Sequence, residues 1–178
     1  PSDVRGMVFM VWKHLDRDDD RWLYLPSLDL VKRIAASDKR TSFVGSHYFY
    51  EDVSGRVINE DNHEFLKSTD KFYVLKHTPK NPESVEFSYY LTWIEKKTFL
   101  TVRADYYDKQ GKLHRRIAAL EVKDIQGHPT VTKAVAEDFR TKGKTLMRFR
   151  NIKYDIGIPG ELFTERYLRK KPPASLLK

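Results

Sequence analysis

The sequence predicts a mainly β protein: a curled antiparallel meander with a C-terminal helix and a long, partly helical loop. Three observations carry this. From Glu86 onward, five runs of about ten residues alternate apolar and polar positions between short turns, one of them Asp108-Lys109-Gln110-Gly111. No helical period interrupts these runs, so βαβ units and a parallel sheet are not expected. The aromatic residues are many, 10 Phe, 10 Tyr and 3 Trp among 178 residues, and large rings suit pleated sheets and wide apolar cavities.

Met7–Trp12 is an apolar run of strand length, followed by an acidic, turn-rich stretch from Leu15 to Asp20 and a return strand at Trp22–Leu25. Asp18-Asp19-Asp20 lacks the alternating spacing and the distal Glu of a calcium loop, so it reads as a solvated hairpin tip. Pro26-Ser27-Leu28-Asp29 is a turn signal, and Val31–Ala35 a third short strand. Residues 37–70 are the least regular, with helical turns expected at Ser46–Val53 and Asn59–Ser68. Phe72–Lys76 is a strand, ended by the two prolines of Pro79-Lys80-Asn81-Pro82. The five cleaner strands are Phe87–Glu95, Thr98–Tyr107, Leu113–Val122, Thr130–Phe139 and Thr145–Tyr154. Pro159–Leu168 is a helix whose stripe of Leu162, Phe163 and Tyr167 docks on a sheet edge. Lys170–Lys178, with two prolines, reads as a loose tail.

Alternation puts Leu100, Val102, Ala104 and Tyr106 on one face, and likewise Tyr89, Leu91 and Trp93, while Met147 and Phe149 alternate with Leu146, Arg148 and Arg150. One face is therefore expected to be apolar and aromatic and the other to carry Arg, Lys, Thr and Glu. A single sheet of about nine such strands curls strongly. Its concave apolar face must be covered or filled.

The length suits one domain, 1–178. Cysteine is absent, which excludes disulfides, thiol nucleophiles and Cys-ligated metals. No apolar run approaches the roughly 20 residues that span a bilayer. The net charge of +8 admits nucleic acid, anionic lipid or acidic protein partners, but reads first as Lys and Arg on outward strand faces for solubility and edge protection. Nucleic acid is not expected, because the densest basic group, Arg169-Lys170-Lys171, falls short of a nucleic-acid patch. The six His are dispersed without metal-binding spacing, Gly45-Ser46-His47 is not a nucleophile elbow, and Glu51-Asp52 reads as a pair of helix-start or loop-stabilising acids. No catalytic residue, metal site or cofactor is expected. From Thr41 to Tyr50 the rings of Phe43, Tyr48 and Phe49 are spaced among polar residues. They read either as core beneath a long loop or as the gate of a cavity.

Those residues carry a family resemblance. Trp22-Leu23-Tyr24-Leu25-Pro26, Arg33-Ile34, Ala36-Ser37-Asp38-Lys39, Ser42-Phe43, Gly45-Ser46 and Tyr50-Glu51-Asp52 look like the signature stretch of outer-membrane lipoprotein-sorting proteins of the LolA-like superfamily. Asp3-Val4-Arg5-Gly6, Asn151-Ile152, Ile156-Gly157-Ile158-Pro159 and Leu162–Leu168 resemble the flanking parts, so the resemblance spans the chain. It implies an incomplete, half-open antiparallel barrel around a hydrophobic cavity with a helical lid. It also implies a periplasmic, non-enzymatic carrier of acyl chains of lipids or lipoproteins to the outer membrane, without cofactor. A permease of the resistance-nodulation-division type is an implied partner, and a non-catalytic module working with such a lipid-exporting permease is the alternative role. The family's N-terminal helix and first strands are not matched, so the chain is expected to be a fragment with an open sheet edge near Met7–Trp12, available for edge-to-edge pairing with a second copy. The family's cavity-gating arginine has no matching motif. The expected cavity lining is Trp12, Trp22, Tyr24, Tyr89, Leu91, Trp93, Leu100, Val102, Met147 and Phe149, and the expected gating loop is Phe43, Tyr48 and Phe49. A one-residue slip would invert the choice of face.

Overall fold

The computed structural model describes residues 4–170. Ten antiparallel strands form two open sheets. β1 (Val8–Trp12), β2 (Asp20–Leu25) and β3 (Leu30–Ile34) make a three-stranded sheet in that order. β4 (Asp61–Ser68), β5 (Phe72–Pro79), β6 (Phe87–Glu95), β7 (Thr101–Asp108), β8 (Leu113–Ile125), β9 (His128–Asp138) and β10 (Gly143–Arg148) make a seven-stranded meander in which every strand pairs with its sequence neighbours. Two short helices, α1 (Tyr50–Ser54) and α2 (Glu165–Arg169), lie in the connecting loop and near the C-terminus. Among the described residues no helix is long and apolar enough to cross a membrane.

The mainly β, open antiparallel architecture is as the sequence predicts, with four corrections. The single sheet is two, because β3 and β4 do not pair and the connection between them, with Tyr48, Tyr50 and Glu51 buried, packs between the sheets. Asn59–Ser68 is not a helical turn but β4. That strand lacks alternation because it is the outer edge of the large sheet: it pairs only with β5, and every residue after Asp61 is exposed. The last strand stops at Arg148, short of Tyr154. The C-terminal helix splits into a 3-10 turn, Gly160–Leu162, and α2. Of the tail expected to be loose, residues 171–178 lie outside the described residues, as does Lys171 of the basic cluster and Asp3 of the N-terminal motif.

Directly opposed residues in antiparallel strands share a face, so register assigns the faces. In the small sheet Met10 opposes Trp22 and Val8 opposes Tyr24, while Phe9 opposes Leu23 and Arg21 opposes Ile34. The first set faces α2. The second faces the long loop, where Leu23, Ile34 and Tyr50 form a buried cluster with Phe9, Phe43 and Val44 around it. In the large sheet Tyr90 opposes both His77 and Tyr106, and Ala104 opposes Ile117. That face meets the other side of the loop through a second cluster, Val85, Phe87, Tyr90 and Tyr106. The order is therefore α2, small sheet, loop, large sheet.

What joins the two sheets is mainly ionic. Glu51, 2% exposed, accepts from Arg40 Nη1 at 3.0 Å and from Arg56 Nη1 at 3.1 Å. Arg40 also grips Glu86, and Arg56 makes a two-pronged contact with Asp61, both bonds 2.7 Å. Arg115, rising from β8, holds Asp52 and the carbonyl of His47. Asp52 in turn starts α1 by accepting from the Phe49 N–H at 2.6 Å. The guanidinium groups lie on rings: Arg115 is 4.1 Å from the Phe49 centroid, and Arg40 is 4.9 Å from Phe49 and 5.0 Å from Phe87. Planar cations that stack on one side and fork to carboxylates on the other suit this layer, and lysine could not replace them. Burial pushes the Glu86 carboxyl up, but the hydrogen bond and charge of Arg40 more than offset this and hold it below the usual range.

Candidate functional site: an apolar cleft under the C-terminal helix

The face of the small sheet turned away from the loop is apolar because Val8, Met10, Trp22 and Tyr24 alternate onto it. It needs a cover, and the chain supplies one from 151 residues away. Pro159 and the 3-10 turn bring the backbone round, Thr164 precedes α2, and Glu165 opens it where a carboxylate suits the helix dipole. Arg166 and Arg169 lie in its last turn, where cations are favoured. Leu168 is buried against the sheet and Met10 is buried beneath.

The cover does not seal. A cleft of about 550 Å³ remains, walled by Met7, Val8, Phe9, Met10, Tyr24 and Pro26 on the sheet side and by Leu162, Phe163, Tyr167 and Leu168 on the helix side. This lies within the range of small-ligand sites, about 300–1,000 Å³. The cover is pinned at both ends. Trp12 Nε1 donates to the Phe163 carbonyl at 3.0 Å. Arg169 donates to the Asp29 carboxylate at 2.7 Å and lies over the Tyr24 ring, whose hydroxyl also donates to Asp29 at 3.1 Å. Both pins are exposed hydrogen bonds, each contributing about 1 kcal/mol. Arg169 and Lys170 put positive charge at one rim.

Other hollows lie elsewhere: a charged one of about 500 Å³ at the hairpin tip around Asp18–Asp20, a polar one of about 530 Å³ beside β10, and two that are more apolar. One, about 370 Å³, sits between the Phe43–Ser46 turn and the start of β10, with Val4 and Met147 on its walls. The turn has φ of +46° at Val44 and +75° at Gly45, the pattern of a tight hairpin turn in which a β-branched residue is strained. The other is a shallow trough of about 140 Å³ on the large sheet, lined by Val102, Ala104, Ile117, Ala119, Val131 and Ala134.

The ten residues expected to line one cavity are distributed over the molecule. Trp12, Trp22 and Tyr24 share the α2 face of the small sheet, where Tyr24 lines the cleft and Trp12 pins its cover. Val102 and Met147 belong to the smaller hollows. Tyr89, Leu91 and Trp93 oppose Tyr107, Asp105 and Arg103, which puts them on the far face of the large sheet, away from the loop. There Tyr89 stacks on Tyr107 at 4.6 Å and Trp93 takes Arg103 at 4.2 Å. Leu100 sits in the β6–β7 turn, and Phe149 follows β10, its N–H on the Thr132 carbonyl, and lines the polar hollow beside that strand with Glu121, Lys133 and Arg148. Of the loop rings, Phe43 packs edge-on against Phe9 and Tyr50, and Phe49 lies between Arg40 and Arg115. Tyr48 is buried with no partner for its hydroxyl, and burial, then the Asp52 charge, raise it to about 12. The two expected apolar sets therefore lie on opposite faces of the large sheet, and neither face is purely apolar. Bulges between Phe87 and Tyr89, at Trp93, at Tyr106 and after Ala119 shift the alternation from strand to strand. Sequence reasoning missed Leu162 and Phe163 as cleft walls, although their stripe is readable, and the layer of Lys39, Arg40 and Arg56 around Glu51, whose signal was three cations among aromatic and acidic residues.

Two histidines are buried neutral. His63 Nε2 lies 2.8 Å from the Ile58 carbonyl, which can only accept, so His63 carries its proton there. Its Nδ1 then accepts from His77 Nδ1 at 2.7 Å, and His77 Nε2 accepts from Thr92 at 2.7 Å. Burial, then the neighbouring His63, lower His77 to about 4. Burial, then Arg140, lower His114 to about 4. At the hairpin tip, hydrogen bonds from His14 and Arg33 lower Asp20 to about 2, and Asp19 is taken by Lys13 and Arg21.

Residues 1–170 match a family described as "Uncharacterized protein". No curated protein matches the chain. Among solved structures, a DUF1329 family protein from Desulfovibrio piger is 34% identical, with a TM-score of 0.82 over 94% of this chain and 73% of that one. A domain from Vibrio parahaemolyticus described as a candidate outer membrane lipoprotein-sorting protein domain is 25% identical, with a TM-score of 0.85 over 96% and 74%. A LolA superfamily protein from Nitrosomonas europaea, 22% identical, shares the fold, with a TM-score of 0.53 over 83% and 67%.

Proposed function

The chain belongs to the DUF1329 family, and on that premise we propose that it is a periplasmic carrier holding an acyl chain of a lipid or lipoprotein in the cleft under α2. The similarity to lipoprotein-sorting and LolA structures supports the class of cargo. The observation that carries the choice of site is the apolar cleft itself, of about 550 Å³, with a five-residue helical cover held by two exposed pins. No bond is made or broken in this role. Each buried methylene contributes about 0.8 kcal/mol, so roughly ten give about 8 kcal/mol before the costs of ordering. Opening the cover breaks the Trp12 and Arg169 contacts and uncovers Leu168 and Met10, so the acyl chain must replace the apolar contact that Leu168 gives up. Release follows when a membrane or an acceptor, a lipid-exporting permease among the candidates, favours the emptied state.

The test is lipid extraction and native mass spectrometry of the protein from its own host, paired with titration of a fluorescent fatty acid. Val8→Lys and Tyr167→Lys put charge into the cleft at positions that are not core. Each should weaken probe binding at least tenfold, while Val53→Lys, exposed on α1, leaves it unchanged. Protein free of any lipid, together with probe binding indifferent to Val8→Lys and Tyr167→Lys, would overturn the reading.

A further inference from the structure

We propose that the β6–β7 turn is a docking tip for an anionic bilayer, with the Phe99 ring entering the headgroup region and Lys96 and Lys97 beside it. Three observations point there, none of them involving the cleft. Phe99 is 71% exposed, and its φ is +56°. A bulky residue in the left-handed region is strained, and such strain persists only where the surroundings enforce it. Here they do. The Phe99 N–H donates to the Glu95 carbonyl at 2.8 Å and the Glu95 N–H to the Leu100 carbonyl at 2.9 Å, while Thr98 Oγ1 donates to the Glu95 carboxylate at 2.7 Å. The turn is a rigid mount that holds one ring outward.

The second observation is charge. Lys96 and Lys97 precede the ring in the same turn, Lys96 with its ammonium 5.1 Å from the Tyr73 centroid, and the Lys96 N–H bonds the Lys71 carbonyl at 2.9 Å, joining the β4–β5 turn to this one. Lys67, Lys71, Lys96 and Lys97 thus gather at one end of the sheet, against Asp70 and Glu95. None of these four lysines has a carboxylate within ion-pair distance among the described residues, whereas the loop-side cations are largely paired. The third is that the neighbouring edge strand adds Phe65, 61% exposed, and Leu66. A scattered exposed apolar residue is ordinary. An aromatic ring fixed outward at a lysine-rich end of a sheet has the composition of a membrane-interface anchor, the ring going to headgroup depth and the ammonium groups to phosphates.

The test is sedimentation with vesicles of phosphatidylcholine alone or with one third phosphatidylglycerol, in low salt. Binding is expected to the anionic vesicles only. Lys96→Gln with Lys97→Gln should weaken it roughly thirtyfold, and Phe99→Asn about tenfold. Asn accepts the left-handed backbone, so that variant stays folded, checked by its thermal midpoint. Phe99→Trp should keep binding and gain quenching by brominated lipid beyond that of the parent's own tryptophans. Lys142→Gln with Lys144→Gln, at the opposite end of the sheet, controls for the +8 net charge. The proposal is overturned if that pair weakens binding as much as the tip pair, if Phe99→Asn binds like the parent, or if Phe99→Trp gains no quenching over the parent. Acyl-probe binding is measured in parallel and should be unchanged in every tip variant, so loss of the carrier reading and loss of this one are separable.

Discussion

Acid should weaken the fold well before its carboxylates titrate, and the cause is two histidines. His77 and His114 are held neutral, both lowered to about 4, whereas an unfolded histidine titrates near 6.5. Above pH ~6.5 both states are neutral and the stability is fully present. As pH falls toward about 4, the unfolded chain takes up protons that the folded chain refuses, and stability is lost. Each refused proton costs about 1.4 kcal/mol per pH unit, so two give up to about 2.7 kcal/mol per unit in the middle of the window. Glu86 and Asp105 have lowered values, so their contribution is lost as pH falls through the unfolded carboxylate range, beginning near pH ~5. The slope above pH ~5.5 therefore belongs to the histidines. Urea denaturation at pH 7.0, 6.0, 5.5, 5.0 and 4.5 reads the slope. His77→Gln keeps an acceptor for Thr92 and should halve the slope whatever it does to stability at pH 7. A flat parent profile above pH 4.5, or an unchanged slope in His77→Gln, would refute the reasoning.

Other outcomes follow from particular contacts. Gly143→Ala places a methyl 2.2 Å from the His47 ring, which Thr145 holds at 2.8 Å; urea denaturation should show a loss of about 1–3 kcal/mol, shrinking below about 0.5 kcal/mol in a His47→Ala background. Arg56→Ala strips two bonds from the buried Asp61 and one prong from Glu51, and should cost about 3–5 kcal/mol by the same assay. Arg169→Ala removes an exposed pin of the α2 cover, so its thermal midpoint should move little while stopped-flow release of the fluorescent fatty acid accelerates severalfold.

Strands β5 to β9 were legible because each is bounded by turn chemistry that leaves little freedom: Asp108 accepts from the N–H groups of Gln110 and Lys112, and Asp124 from that of Gly127. β4 was not, since DNHEFLKS at a solvent-exposed edge has no face to bury and so no period to show. The faces were not legible either, because bulges are invisible to a count of two. The cleft was half legible: the stripe of α2 and the aromatic strands could each be read, but their meeting joins Trp12 to Phe163, a separation no local pattern encodes. The ionic layer escaped notice for a different reason. Lys39, Arg40 and Arg56 look like solvated charges until Glu51, Asp52 and Asp61 are seen to be buried with them.

The Trp12–Phe163 contact also makes the start of the chain depend on its far end. The outer apolar face of the small sheet and the cover that shields it are 151 residues apart, so a chain that arrives from its N-terminus forward presents Val8, Met10 and Trp22 before their cover exists. A periplasmic carrier that enters its compartment unfolded would therefore need a holdase to keep that face from pairing with other apolar surfaces until α2 has arrived.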